Sequence, residues 1–301
     1  MTVSRLYLPR LEQPPATILE YLVARFAQIP QPVWLGRIQR GLVTTSDGAR
    51  IGPDTPYRHG LTVHYYREVP DEVDDVEAET IVYQDSDILV ADKPHGMPVT
   101  PAGEYVARAL LSRLERRSGL TGIAPAHRLD RETAGLVLFT LHRNARSRYQ
   151  ALFQTRAIER EYLAVAEISE MPDERQWVVR NRLGPGTPWF RRQIVEGPPN
   201  ATTRIELVEM GARYGFFRLK PETGRKHQLR AHMASIGFPI VGDPLYPQQR
   251  PAQAGDTPLQ LLAAKLSFTD PLTGRRREFQ SMRTLLLAPD DATGRSFYGR
   301  V

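Results

Sequence analysis

One segment constrains the fold more than any other. From His127 through Glu132 the chain is polar and charged, and from Ala134 to Phe139 it runs without a spacer into an apolar strand. A strand of that composition belongs inside a sheet, which leaves the carboxylate of Asp130 at the sheet's mouth. An isolated Asp in such a loop is usually a turn cap paired to a neighbour, here Arg128 or Arg131. Its meaning therefore depends on what the rest of the chain supplies.

Upstream, Ile18, Leu22, Arg25 and Phe26 behind Thr17 predict an amphipathic helix over 17–29, capped by the Thr17 hydroxyl. A second helix is expected over 34–40, stopping at Gly41, then short strands at 42–45 and 61–66 around an Asp47-Gly48 turn. These make a small N-terminal α+β domain over 1–70. Residues 71–79 are acidic and read as an exposed linker, leaving 80–301 for a larger domain. In that domain 80–83 and 88–91 flank a polar turn, as in a hairpin. Helices are expected at 104–118, 142–156 and 225–236, and strands at 202–209, 215–220 and 259–268. Helices and strands mix without regular alternation, which points to an α+β fold with a mixed, largely antiparallel sheet.

The sequence contains no Cys, which removes disulfides, thiol nucleophiles and thiolate metal sites. A formal charge of +6 favours a polyanionic partner. No run approaches the roughly 18 apolar residues of a membrane span, and no signal-like apolar stretch follows Met1, so a cytoplasmic protein without membrane association is expected.

Three ordered segments carry a resemblance. His127-Arg128-Leu129-Asp130, with Thr133 and Gly135 before the strand, is similar to the catalytic motif of the RluA-family pseudouridine synthases, with Ala134 where the family usually has Ser. Residues 87–99, with Asp92-Lys93-Pro94 and Gly96, resemble the family's opening segment. Residues 219–230, followed by His232, Gly237, Pro239, Gly242-Asp243 and Tyr246, resemble its late motif. Three segments in order are far more specific than any one. The resemblance implies a pseudouridine synthase fold with a central active-site cleft. It also implies Asp130 as the catalytic carboxylate, Arg230 as its basic partner, and Tyr162 of Arg160-Glu161-Tyr162-Leu163-Ala164 as a pocket residue. Arg128 would fill the place of a flipped-out target base. Arg131, Arg160, Arg225 and Leu229 become candidate substrate or RNA contacts, and Arg143, Arg146, Arg148 and Arg156 candidate phosphate contacts. Relatives commonly carry a His at the position of Ala263, so 261–264 is read here as a core strand. More loosely, the N-terminal seventy residues resemble the RNA-binding domain named after ribosomal small-subunit protein four, chiefly from Arg37 to Val43.

The implied reaction breaks the bond from ribose to the uracil nitrogen, turns the base and joins the same ribose carbon to carbon five. No atoms are gained or lost, so no redox cofactor, metal or nucleotide is expected. The chain accordingly lacks a phosphate-loop motif and a His-Glu-x-x-His zinc motif. The implied partner is structured RNA, ribosomal or transfer, acted on by a monomer with no obligate protein partner. Three other readings compete. A catalytically silent RNA-binding protein would not need Asp130, Tyr162 and Arg230 together. A protein kinase is removed by the inserted Leu129 and by the missing Asp-Phe-Gly and Gly-rich loop. A glycoside hydrolase usually needs a second carboxylate, and the nearby candidates, Glu132 and Glu222, read as surface residues.

Overall fold

The computed structural model describes residues 3–26, 29–66, 77–101, 105–168, 170–188, 190–251, 253 and 255–289. The chain divides into two compact units, Met1–Glu72 and Val73–Val301.

In the first unit the Thr17 hydroxyl accepts from the Glu20 amide at 3.1 Å, and Glu20 reaches back to the Ala16 amide at 2.8 Å. This reciprocal cap starts helix α1, Ile18–Arg25. Helix α2, Gln31–Gln39, begins earlier than expected because Pro32 fits a first helical turn. A strand not anticipated from the sequence, β1 (Val3–Tyr7), precedes both helices, and β2 (Val43–Thr45) and β3 (Thr62–Tyr66) follow. The strands pair in the order β1-β3-β2. Ile18, Leu22, Trp34, Ile38, Val43 and Val63 fill the core beneath them. Arg37 is buried in this unit, its guanidinium 5.1 Å from the Trp34 ring.

The second unit opens with the hairpin β4 (Thr80–Gln84) and β5 (Ile88–Lys93), then α3 (Leu110–Ser118), β6 (Ala124–Pro125), β7 (Ala134–Thr140) and α4 (Arg143–Gln154). It continues through β8 (Ile158–Glu167), β9 (Gln176–Pro185), β10 (Arg192–Val195), β11 (Ala201–Met210) and β12 (Tyr214–Pro221). Helix α5 (Gln228–Ser235), β13 (Leu261–Thr269) and β14 (Arg276–Gln280) close it. Among the described residues the strands form one sheet in the order β10-β9-β11-β12-β8-β13-β7-β5-β4, with β14 on β13 and β6 on β7. Among the described residues only the β7–β13 pair is parallel, so the sheet is mixed and largely antiparallel, as expected.

The apolar run of β7 reflects cover on both faces. Leu136 and Leu138 pack with Ala145, Tyr149 and Leu152 of α4, whereas Val137 and Phe139 pack with Leu110 and Leu114 of α3. Helix α3 starts at Leu110 and not near residue 104, which lies outside the described residues. The amides of Leu110 and Leu111 are taken by the carbonyls of Pro98 and Val99 at 2.9 and 3.0 Å, which sets the first turn there.

The end of the acidic stretch departs from its reading as an exposed linker over 71–79. Residues 71–76 lie outside the described set, but Glu79 is 2% exposed. Its carboxylate pairs with Arg113 and Arg117, one turn apart on α3, the latter at 2.7 Å. A lone acid in an acidic run has no local signal for such a partner.

Gly135 is fixed by a close approach. It has φ of 112°, and a Cβ there would stand 2.3 Å from the Ala263 carbonyl oxygen across the parallel β7–β13 contact. Gly135→Ala is expected to lower stability by on the order of 3 kcal/mol, combining left-handed strain with overpacking. Urea unfolding would register this as a lower midpoint at unchanged m-value.

Candidate active site

The sheet register assembles the site. Gly135 of β7 pairs with Ala263 of β13, Ala263 pairs with Tyr162 of β8, and Tyr162 pairs with Leu219 of β12. One row across four strands thus connects the loop that carries Asp130 to Tyr162 and to the strand that leads into α5. Ala263 is a buried strand residue, as read from the sequence. Helix α5 packs Leu229 and Met233 into the same core as Tyr162 and Leu261, which turns Arg230 toward the Asp130 loop.

A cleft of about 930 Å³ opens where these elements meet. Asp130, Tyr162, Arg230, Arg128, Arg131, Arg160, Arg225 and Leu229 all line it, so every residue singled out in the sequence for the site lies on one concavity. Of the further basic candidates only Arg156 does so. Arg143 and Arg148 are exposed on α4, and Arg146 bonds the Gly122 carbonyl.

Arg230 is 1% exposed, not an outward-facing helix residue. Asp243 takes one side of its guanidinium fork, Nε at 2.8 Å and Nη2 at 2.7 Å. That leaves Nη1, which stands 3.4 Å from Asp130 Oδ2. Burial disfavours the guanidinium charge, but Asp243, Asp130 and Glu132 outweigh this and hold its pKa above the usual arginine value. Asp243 also accepts the amides of Leu245 and Tyr246 at 2.8 and 3.2 Å, so its carboxylate is fixed from two sides. Asp130, by contrast, keeps a quarter of its side chain exposed to the cleft. Asp243 and Asp130 are thereby separated into an anchor and an accessible group on one arginine.

Three further residues surround this pair, and the sequence alone assigns them no role. His227, in a left-handed conformation ahead of α5, places Nε2 3.9 Å from Asp130 Oδ2. Burial lowers its pKa against the pull of Asp130. Lys93 is fully buried and donates to the carbonyls of Pro94 at 2.9 Å and Arg131 at 3.1 Å. Burial brings its pKa down to about 7, against opposing pulls from Glu132 and Asp130. His95 Nδ1 lies 2.7 Å from the Glu132 carbonyl. Segment 93–95 therefore holds two consecutive peptides just beyond Asp130, and the Lys-Pro motif offered no local cue to this.

Tyr162 is 8% exposed, and burial raises its phenol pKa, keeping the hydroxyl protonated at neutral pH. Arg160 bonds the carbonyls of Pro221 and Thr223 at 3.1 and 3.3 Å, bracing the loop between β12 and α5. Glu222 pairs with Arg204 at 3.0 Å. Glu132 is not a plain surface residue: its carboxylate is half-buried, 3.0 Å from Arg131 and 3.9 Å from Arg230. Burial pushes its pKa up, but Arg131, backbone bonding and Arg230 bring it net below the usual value. Glu132 is therefore not poised as the protonated acid a glycoside hydrolase requires, and Glu222 is engaged by Arg204.

His127 supports the loop in its neutral form. Its Nε2 accepts from the Leu138 amide at 3.2 Å, its ring stacks on Phe153, and burial together with Arg160 lowers its pKa to about 3. Burial lowers that of His232 to about 4. Below pH 6.5 the unfolded chain protonates both groups and the folded chain does not, so stability falls as pH drops from about 6.5 toward 4. Urea midpoints measured from pH 7 to pH 5 are expected to decline, and to decline less in His232→Gln.

The chain's likenesses agree with this geometry. Residues 87–235 match the family model described as RNA pseudouridylate synthase. The chain is 31% identical to ribosomal large subunit pseudouridine synthase D of Pseudomonas aeruginosa over 272 residues, which cover 82% of each chain. It is 34% identical over 196 residues to the dual-specificity RNA pseudouridine synthase RluA of Vibrio cholerae, covering 64% of this chain and 77% of that one. Among solved structures it resembles human RNA pseudouridylate synthase domain containing 1, with a TM-score of 0.57 at 25% identity, over 73% of this chain and 95% of that one. With its motifs gathered on one cleft and these likenesses spanning most of its length, the chain belongs to the RluA family of RNA pseudouridine synthases, which isomerise uridine to pseudouridine.

Proposed function

We propose that this enzyme acts on a uridine in structured ribosomal or transfer RNA and that Asp130 performs the chemistry on the ribose. The observation that carries this reading is the 3.4 Å contact between Asp130 and Arg230, 100 positions apart, in a cleft that also holds Tyr162. Held by Arg230 yet open to the cleft, the Asp130 carboxylate can remove a ribose proton or attack the sugar as the bond to nitrogen breaks. Tyr162 stacks on the detached uracil and keeps it in the pocket until carbon five meets the ribose carbon.

A base inside a stack cannot reach this pocket, so the target is flipped out, and Arg128, exposed at the mouth beside Asp130, fills the space it leaves. Arg156 and Arg225, also on the cleft, contact the flanking backbone. The protein acts as a monomer without an obligate protein partner. A cytoplasmic location is part of the same proposal; no helix among the described residues is long and apolar enough to cross a membrane.

Ribosomal and transfer RNA fractions from cells lacking the gene, treated with purified protein and mapped for pseudouridine, test the substrate class. Conversion of one or a few uridines in either fraction is expected. Conversion in neither would refute the assignment of RNA class. Tyr162→Leu keeps an apolar side chain but loses the aromatic face, and is expected to lower kcat by about a hundredfold with KM changed less than threefold, as for a group that acts late in the reaction.

A further inference from the structure

We propose that Arg131 is a stacking platform for the nucleobase next to the target uridine, and that it thereby helps select which uridine is accepted. The proposal rests on the reading of Asp130 as the reacting group, because Arg131 follows it directly in the chain.

The geometry of Arg131 differs from that of a phosphate anchor. Its side chain is 44% exposed on the cleft, yet most of the guanidinium edge is already occupied. Nε and Nη2 both lie 3.0 Å from Glu132 Oε1, and Nη1 donates to the Tyr105 hydroxyl at 2.6 Å. A guanidinium has five N–H donors, all directed along its edge. With the edge held by protein acceptors and the charge balanced by Glu132, the surface left for a ligand is chiefly the flat face. Unpaired RNA bases stack on such faces.

The platform is also rigid. The Arg131 carbonyl accepts from Lys93 and the Glu132 carbonyl from His95, so the backbone is pinned on both sides. Tyr105 lies with its ring centroid 5.0 Å from the guanidinium carbon, backing the side chain. A pre-ordered face loses little freedom when a base settles on it. The ligand is an unpaired base adjoining the flipped uridine, and a purine, having the larger ring system, binds best.

The test uses stem-loop transcripts carrying the uridine identified by mapping, with the nucleotide on its 5′ or its 3′ side made abasic. For the wild-type enzyme one of the two abasic transcripts is expected to lose roughly tenfold in kcat/KM, within the range of one base stack. In Arg131→Leu that penalty shrinks below about twofold, and Arg131→Lys behaves like Leu because it keeps charge without a planar face. Salt dependence of KM stays the same in all three. Indifference of the wild-type enzyme to both abasic transcripts would overturn the proposal, as would full discrimination by Arg131→Lys. So would a salt slope in Arg131→Leu reduced by about one phosphate contact. An active Asp130→Asn protein would instead sink the underlying reading of the site, so the two failures are separable.

Discussion

Replacing Asp130 by Asn is expected to lower the rate of pseudouridine formation by at least about a thousandfold while leaving RNA affinity within about threefold. Asn keeps the size of the side chain and one acceptor oxygen facing Arg230, so the loop before β7 has no reason to move. What it loses is the negative charge and the ability to take a proton or form a bond to the sugar. The arginines proposed to hold RNA, Arg128, Arg156 and Arg225, lie elsewhere on the cleft. Because carbon five of uracil gives up its hydrogen when it joins the ribose, release of tritium from that position reports the reaction, and filter binding reports affinity. Equal losses in both measurements would mean that Asp130 organises RNA binding and not chemistry.

Asp243→Ala carries the largest expected effect on stability, a loss of about 3–5 kcal/mol, because it leaves the charge of Arg230 buried without its fork partner. The structure also assigns the change a second consequence. Freed from Asp243, the guanidinium can turn its fork onto Asp130 and bury the carboxylate that must reach the ribose. Asp243→Asn, which retains an acceptor, is expected to lose less stability than Asp243→Ala and still to lower kcat. Urea unfolding gives the first quantity and single-turnover rates give the second. If Asp243→Ala unfolded at the wild-type midpoint, the account of Arg230 as a buried cation held between two acids would be wrong.

Much of this architecture could be read from residue patterns, and the exceptions have physical causes. Strands β5 and β7 announce themselves by continuous apolar runs because both faces are covered. Strands β9 and β10, toward one end of the sheet, escaped notice because most of their residues remain at least partly exposed, so arginine and glutamine interrupt any core signature. Helix α5 begins at Gln228 and not near 225, since His227 takes a left-handed conformation and the Gln228 side chain accepts the Arg225 amide. Asp130, Tyr162 and Arg230 were legible only through the family resemblance. Asp243, His227, Lys93 and His95 surround them through contacts that no spacing encodes, because each partner lies far away in the chain or is a backbone carbonyl.

The role proposed for Asp130 can be tested directly in the cell. In cells lacking the gene, pseudouridine maps of ribosomal and transfer RNA should lose a small set of sites, which the wild-type chain restores. The Asp130→Asn chain, expressed to the same level, should restore none of them. Restoration by Asp130→Asn, or maps unchanged by loss of the gene, would contradict it.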